Sequence, residues 1–147
     1  GAHYRLTIAG DGPERTSLEA LAKDLKIAHL IHFTGPLPPE KIADLMRRHR
    51  ILVVPTVWEE PFGIVALEGL ACGCQVLVSA CGGLPEAIGP HGVTFPRGDS
   101  QALASAIQGA MAHPVVSDEA ERQAHLKNHQ APAVARRYLE IMRGRLN

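Results

Sequence analysis

The run Ile51–Val54 (ILVV) has no polar side chain on either face of a strand, and Gln75–Ser79 (QVLVS) is almost as apolar. A strand that is apolar on both sides has to be covered on both sides. That is the environment of a central strand in a parallel sheet flanked by helices. The remainder of the chain fits this demand. Residues 4–9 (YRLTIA) and 30–33 (LIHF) are short β-prone runs, closed by Gly10-Asp11-Gly12-Pro13 and by Gly35-Pro36. Gly92–Phe95 supplies a fifth strand.

Helical periodicity fills the gaps between the strands. In residues 14–26, Leu18, Leu21, Ala22 and Leu25 fall at i, i+3, i+4 and i+7, one apolar face, with Pro13 placed for the first turn. Pro39 opens a second helix carrying Ile42, Leu45 and Met46 and ending near Arg47 and Arg48, where positive charge suits the helix dipole. Residues 63–72 form an apolar helix stopped by Gly73. Gly82-Gly83-Leu84-Pro85-Glu86 turns into a short helix ending near Gly89. Asp99 or Ser100 caps a helix bearing Leu103, Ile107, Ala110 and Met111, which Pro114 ends.

Strand and helix in repeated alternation predict an α/β fold: a Rossmann-like, doubly wound parallel sheet with helices on both faces. Ligands of such sheets bind beyond the carboxyl ends of the strands, so the loops after Ala9, Phe33, Val54 and Ser79 are expected on one rim. The character changes after Pro114. Residues 117–130 are polar and histidine-bearing, and 133–146 form an amphipathic helix with Val134, Tyr138, Ile141 and Met142 on one side. We therefore expect a ligand-binding domain over residues 1–115 and a helical tail over 116–147 that packs on a neighbouring domain.

Charge and cysteine usage narrow the function. Lysine plus arginine equals aspartate plus glutamate, 15 against 15, which gives no footprint for nucleic acid. Cys72, Cys74 and Cys81 are odd in number and clustered, a poor disulfide framework, and Cys72-x-Cys74 is too tight for a zinc knuckle. They read as inert thiols of a cytoplasmic protein. No apolar run approaches the ~20 residues that span a bilayer. The start, Gly1-Ala2-His3-Tyr4, has no signal-peptide pattern and runs straight into a strand, as an excised piece of a longer chain would.

The informative segment is Glu60-Pro61-Phe62-Gly63-Ile64-Val65-Ala66-Leu67-Glu68-Gly69, which joins a buried strand to a buried helix. A helix N-terminus presents unpaired N–H groups and a positive dipole end, both suited to phosphate. Gly63, lacking a Cβ, permits close approach. Glu60 just before the turn and Glu68 within the helix can each accept ligand hydroxyls. The helix dipole by itself accounts for Glu60. It accounts poorly for Glu68, a carboxylate that an apolar helix should hold only with partners. A ligand with phosphate in the middle and hydroxyls at both ends, such as a nucleotide diphosphate sugar, would satisfy all three elements.

The Glu-x7-Glu pair within EPFGIVALEGLACG resembles the signature of glycosyltransferase family 4. AGDGP (9–13), FTG (33–35), VVP (53–55) and GGLPE (82–86) follow the same family's order, so the resemblance covers about residues 4–114. It implies the carboxyl-terminal, donor-binding domain of a GT-B fold and a retaining transfer of a hexose-type sugar, with neither cofactor nor metal. It implies Glu60 as the catalytic-site carboxylate on the sugar hydroxyls. Backbone N–H groups of Phe62, Gly63, Ile64 and Val65 would meet the sugar and diphosphate, and Glu68 the ribose. The turn at Pro36-Leu37 would meet the base, and Gly10 would line the same rim. The expected partners are a UDP-, GDP- or ADP-sugar and an amino-terminal acceptor-binding domain. Peripheral membrane contact of the full enzyme stays open. The family's diphosphate-gripping arginine and lysine fall upstream of Tyr4; Lys41 and Arg97 do not match them. These 147 residues alone are therefore expected to be inactive and to bind donor weakly.

Competing signals are thinner. Gly10-x-Gly12 lacks a third glycine, since Arg15 stands there. His125 and His129, at i and i+4, have no third metal ligand and read as a solvated face. The other histidines, His91 among them, look dispersed. Trp58 either stacks on a ligand or covers its loop. Two other functions fit the motifs: a non-catalytic sugar-nucleotide module, and a GT-B sugar-nucleotide epimerase.

Overall fold

A computed structural model describes residues 4–113 and 118–144. The chain divides into two compact units, Gly1–Leu45 and Met46–Asn147. All strand pairs within the two sheets are parallel and helices flank them, an α/β arrangement of the Rossmann-like kind.

The first unit contains β1 (Leu6–Ala9), α1 (Arg15–Asp24), a 3-10 turn at Ala28–Leu30 and β2 (Ile31–Gly35); α2 (Pro39–Arg47) crosses the boundary between the units. β1 and β2 pair in register, Leu6 opposite Ile31 and Ile8 opposite Phe33. The Gly10 N–H donates to the Gly35 carbonyl at 2.9 Å. Two expectations change here. Pro13 precedes the N-cap residue Glu14, so it belongs to the turn before α1 and not to its first turn. Of the expected apolar face only Ala22 is buried; Leu18, Leu21 and Leu25 are exposed. A two-stranded sheet is too narrow to cover a ten-residue helix.

The second unit holds β3 (Ile51–Val54), α3 (Ile64–Ala71), β4 (Gln75–Ser79), α4 (Leu84–Ile88), a 3-10 turn at Gly89–His91 and β5 (Gly92–Phe95). Helices α5 (Ser100–Ala112), α6 (Glu119–Asn128) and α7 (Ala131–Met142) follow. The sheet order is β3-β4-β5. Side chains alternate along a strand, and both faces are used. Leu77 and Phe95 pack with Ala110, and Leu103 and Ile107 of α5 join them. On the other face, a Cβ at Gly69 of α3 would lie 3.1 Å from Val76 Cγ2 and would also meet Leu52, so the glycine lets α3 settle directly on the strands. β4 is the central strand that its sequence demanded, with Val76, Leu77 and Val78 all but inaccessible. β3 differs from expectation, since it pairs with β4 alone. Its apolar residues answer helices on two faces, which does not require a strand on each edge.

Helix ends follow local chemistry. α3 closes with the Gly73 N–H on the Leu70 carbonyl and the Cys74 N–H on the Gly69 carbonyl, with Gly73 at φ +85. Asp99, and not Ser100, caps α5, its Oδ1 accepting from the Ala102 N–H at 2.9 Å. Asp99→Ala is expected to cost about 1 kcal/mol. A urea-melt midpoint lowered to match would show it; an unchanged midpoint would contradict the cap's contribution. Pro114 and Leu146 lie outside the described residues.

Candidate functional site

The segment between β3 and α3 is held from below. Ser79, fully buried at the end of β4, donates its hydroxyl to the Thr56 carbonyl at 2.8 Å. The Cys81 thiol donates to the Trp58 carbonyl at 2.6 Å, and the Gly83 N–H to the Glu60 carbonyl at 2.8 Å. Two loops this close leave no space for side chains between them. A Cβ at Gly82 would sit 2.7 Å from the Glu60 backbone nitrogen, and one at Gly83 would sit 2.6 Å from the Pro61 carbonyl oxygen. Gly82 also has φ +52. The paired glycines of GGLPE therefore form a clasp under EPFG. The two motifs are about twenty residues apart in sequence but in contact in space.

The clasp positions the start of α3. Gly63, buried, is its N-cap in the left-handed region (φ 80, ψ 55), and no side chain caps the helix. A Cβ at Gly63 would collide with Leu84, the first residue of α4. The Ala66 N–H reaches the Gly63 carbonyl at 2.9 Å. The N–H groups of Ile64 and Val65 precede any available intrahelical acceptor. Ile64 and Val65 are exposed, and so is Glu68, which shares a helical stripe with Ile64 at i+4. Glu60 is half-buried at the mouth of the same turn.

The exposure of Glu68 changes one argument. Its carboxylate bears no burial penalty in this chain, so it does not require a partner on that ground. What singles it out is position, one turn along the outer stripe from the open amides. Trp58 is 69% exposed, so it does not cover its loop. Gly10 (φ +119) and Leu37 belong to the first unit, Gly10 as an isolated bridge to Gly35 and Leu37 half-buried between β2 and α2. Among the described residues, no cluster of three or more His, Cys, Asp or Glu side chains is arranged to hold a metal ion.

The model of the glycosyl transferases group 1 family matches residues 2–130. The chain belongs to that family. It is 36% identical over 129 residues to the D-inositol 3-phosphate glycosyltransferase of Acidothermus cellulolyticus, a match covering 82% of this chain and 28% of that protein. Among solved structures it resembles the sucrose-phosphate synthase of Thermosynechococcus elongatus (TM-score 0.79, 30% identity, 95% of this chain and 38% of that one). It also resembles Anabaena HepE in complex with UDP-glucose (TM-score 0.67, 26% identity, 90% and 36%). The chain thus spans about a third of the length of these relatives.

In this glycosyl transferases group 1 chain, the loop is braced on two further sides that the sequence did not reveal. Arg97 donates to Glu59 Oε1 at 2.7 Å and to Cys81 Sγ at 3.3 Å. Those bonds, to the thiol first and then to the carboxylate, hold its guanidinium further above its usual range. Cys74 is buried under the Met46 and His49 carbonyls, and burial, with Cys72 adding to it, pushes its thiol up.

The second brace corrects the reading of the histidines. His125 and His129 do not form a solvated face; both are half-buried, and with His91 they form a row. Ring centroids are 5.1 Å apart for His91 and His125, and 4.5 Å for His125 and His129. The row ends on Phe62, 5.5 Å from His129. Burial, and then His125, push the His91 ring below its ordinary range; Glu121 opposes this and Arg122 adds to it. Helical spacing of His125 and His129 was visible in the sequence. Their burial was not, because the covering residues come from α4 and the turn after it.

No helix among the described residues is long and apolar enough to cross a membrane.

Proposed function

We propose that this chain is the donor-binding, carboxyl-terminal part of a retaining glycosyltransferase, transferring a hexose-type sugar from a nucleotide sugar. The observation that carries this reading is the start of α3. Its N-terminus has no side-chain cap, its outer stripe carries Ile64 and Glu68, and Glu60 stands at its mouth. A diphosphate fits the Ile64 and Val65 N–H groups, where the helix dipole favours negative charge. The sugar hydroxyls fall to Glu60 and to the N–H groups of Phe62 and Gly63, and the ribose to Glu68. The family resemblance alone assigns Gly10 and the Pro36-Leu37 turn to the nucleotide. Anabaena HepE, which this chain resembles, is known in complex with UDP-glucose, and that supports the ligand class.

The chemistry follows from the charge. As the glycosidic bond to the diphosphate breaks, negative charge grows on the leaving oxygens, and fixed N–H dipoles stabilise it without reorganising. The acceptor side is assigned to a separate domain, in keeping with relatives about three times as long. We assign residues 1–115 to the donor domain and 116–147 to a helical tail, of which α6 lies against α4 and the donor loop. α7, with exposed Val134, Tyr138, Ile141 and Met142, is assigned to a tail that packs on the neighbouring domain. A cytoplasmic setting goes with this reading, and the three free thiols support it.

Titration of the isolated chain with UDP-, GDP- and ADP-glucose tests the reading. The amide resonances of Gly63, Ile64 and Val65 are expected to move, with an affinity of about millimolar order. Absence of any shift there would overturn the donor site. Micromolar calorimetric binding would overturn the claim that these residues alone bind weakly.

A further inference from the structure

The histidine row has no part in the donor reading so far, yet it ends on a donor-loop residue. Its geometry is specific. The His125 Nε2–H donates to the Ala87 carbonyl at 2.8 Å, which fixes that ring against α4. A Cβ at Gly89 would lie 2.8 Å from His125 Cε1, so the ring packs closer to this backbone than a Cβ allows without a shift. The His129 Nδ1–H donates to the His125 carbonyl at 2.9 Å, which fixes the second ring at the end of α6. The rings of His125 and His129 are tilted at 54°, and those of His129 and Phe62 at 43°. Tilted and edge-on aromatic pairs at such separations are attractive beyond simple burial. Phe62 immediately precedes Gly63, the N-cap of α3. The chain of contacts therefore runs from α4 through α6 to the open end of α3.

We propose that His129 is a positioning residue for the donor loop, holding the Phe62 ring and through it the Phe62–Gly63 backbone in the form that presents the α3 amides to a nucleotide diphosphate. The functional half of this inference rests on the donor-site reading above; the structural half does not. The glycine clasp sets the loop from beneath, at Glu60 and Pro61. Phe62 itself is held from the side by α6. Without the His129 ring, Phe62 gains rotamers, and the amides next to it have to be ordered by the ligand, which weakens binding.

Three variants of the chain separate positioning from bulk stability. His129→Gln keeps a side-chain N–H donor and removes the ring, His129→Phe keeps a ring and removes the donor, and His129→Ala removes both. Amide spectra without ligand are compared with titrations of UDP-, GDP- and ADP-glucose, and thermal melts serve as the control. In the Gln and Ala variants, the Phe62, Gly63 and Ile64 amides are expected to shift or broaden. The sole tryptophan, Trp58, reports the same loop through its indole resonance. Nucleotide-sugar affinity should fall about three- to tenfold, the scale of one aromatic pair. His129→Phe should restore both readouts towards those of the unmodified chain.

Unchanged loop amides in folded Gln and Ala variants would overturn the inference, as would changes confined to α6. If the Ala variant does not fold, the Gln and Phe pair decides by the same criteria. Should the unmodified chain show no nucleotide-sugar shift at Gly63–Val65, the donor reading fails, while the ligand-free comparison still decides whether His129 positions the loop.

Discussion

Gly82→Val is expected to cost the second unit about 2–5 kcal/mol, combining left-handed backbone strain of about 1–2 kcal/mol with overpacking of about 1–3 kcal/mol. Gly82 has φ +52, and any Cβ there points into the Glu60 backbone. Backbone cannot rotate away as a side-chain tip can, so the clasp between EPFG and GGLPE has to open. Gly73→Ala isolates the strain term. Gly73 has a similar φ of +85 but nothing within 4 Å of its Cβ position, so the strain of about 1–2 kcal/mol is all it should cost. In a unit of about 100 residues each kcal/mol lowers the melting midpoint by about 4–8 °C. Comparable losses in the two variants would mean that the loop yields freely, and the clasp would then not fix the site. A large excess at Gly82, accompanied by altered Phe62 and Gly63 amides, is the expected result.

Glu68→Gln is expected to weaken nucleotide-sugar binding by about tenfold or more while leaving the melt in place. A hydrogen bond to a charged group contributes about 1.5–3 kcal/mol, and 1.4 kcal/mol is a factor of ten. Exposed substitutions away from special features change stability by about 0.5 kcal/mol at most. Glu68 is exposed, so lost binding without lost stability would point to a ligand contact. Glu60→Gln should weaken binding similarly. Glu59→Gln is the control: the amide oxygen can still accept the Arg97 bond that braces the loop, while the charge beside the site is lost. Disappearance of the Gly63–Val65 amide shifts in the Glu68 and Glu60 variants, with retention in the Glu59 variant, is the pattern expected. If Glu68→Gln binds as the unmodified chain does, Glu68 is a solvated helix residue and the ribose assignment fails.

Much of the architecture was legible because its causes are local. The apolar pattern of Gln75–Ser79 called for a buried strand, and β4 is the central strand of its sheet. Gly73 stops α3 and Asp99 starts α5 through bonds to residues one turn away. The motif order was legible for the same reason, and the family match confirms that membership. Burial was less legible. The apolar stripe of α1 foretold a covered face, yet Leu21 and Leu25 are exposed, because what covers a helix is not encoded in that helix.

Local patterning in the chain was enough to make it α/β, to put it in a glycosyltransferase family, and to mark the turn from β3 into α3. Spacing and composition suffice for that, since strand and helix periods and capping act over a few residues. What holds that turn comes from distant parts of the chain: glycines about twenty residues downstream beneath it, Arg97 and Cys81 beside it, and the row of His91, His125 and His129 against Phe62. These are contacts between residues 16 to 67 positions apart, whose side chains carry no local period. The same physics made Glu68 an exposed carboxylate on an outer stripe and not a buried one, because the packing of α3, more than its composition, fixes which of its residues meet water.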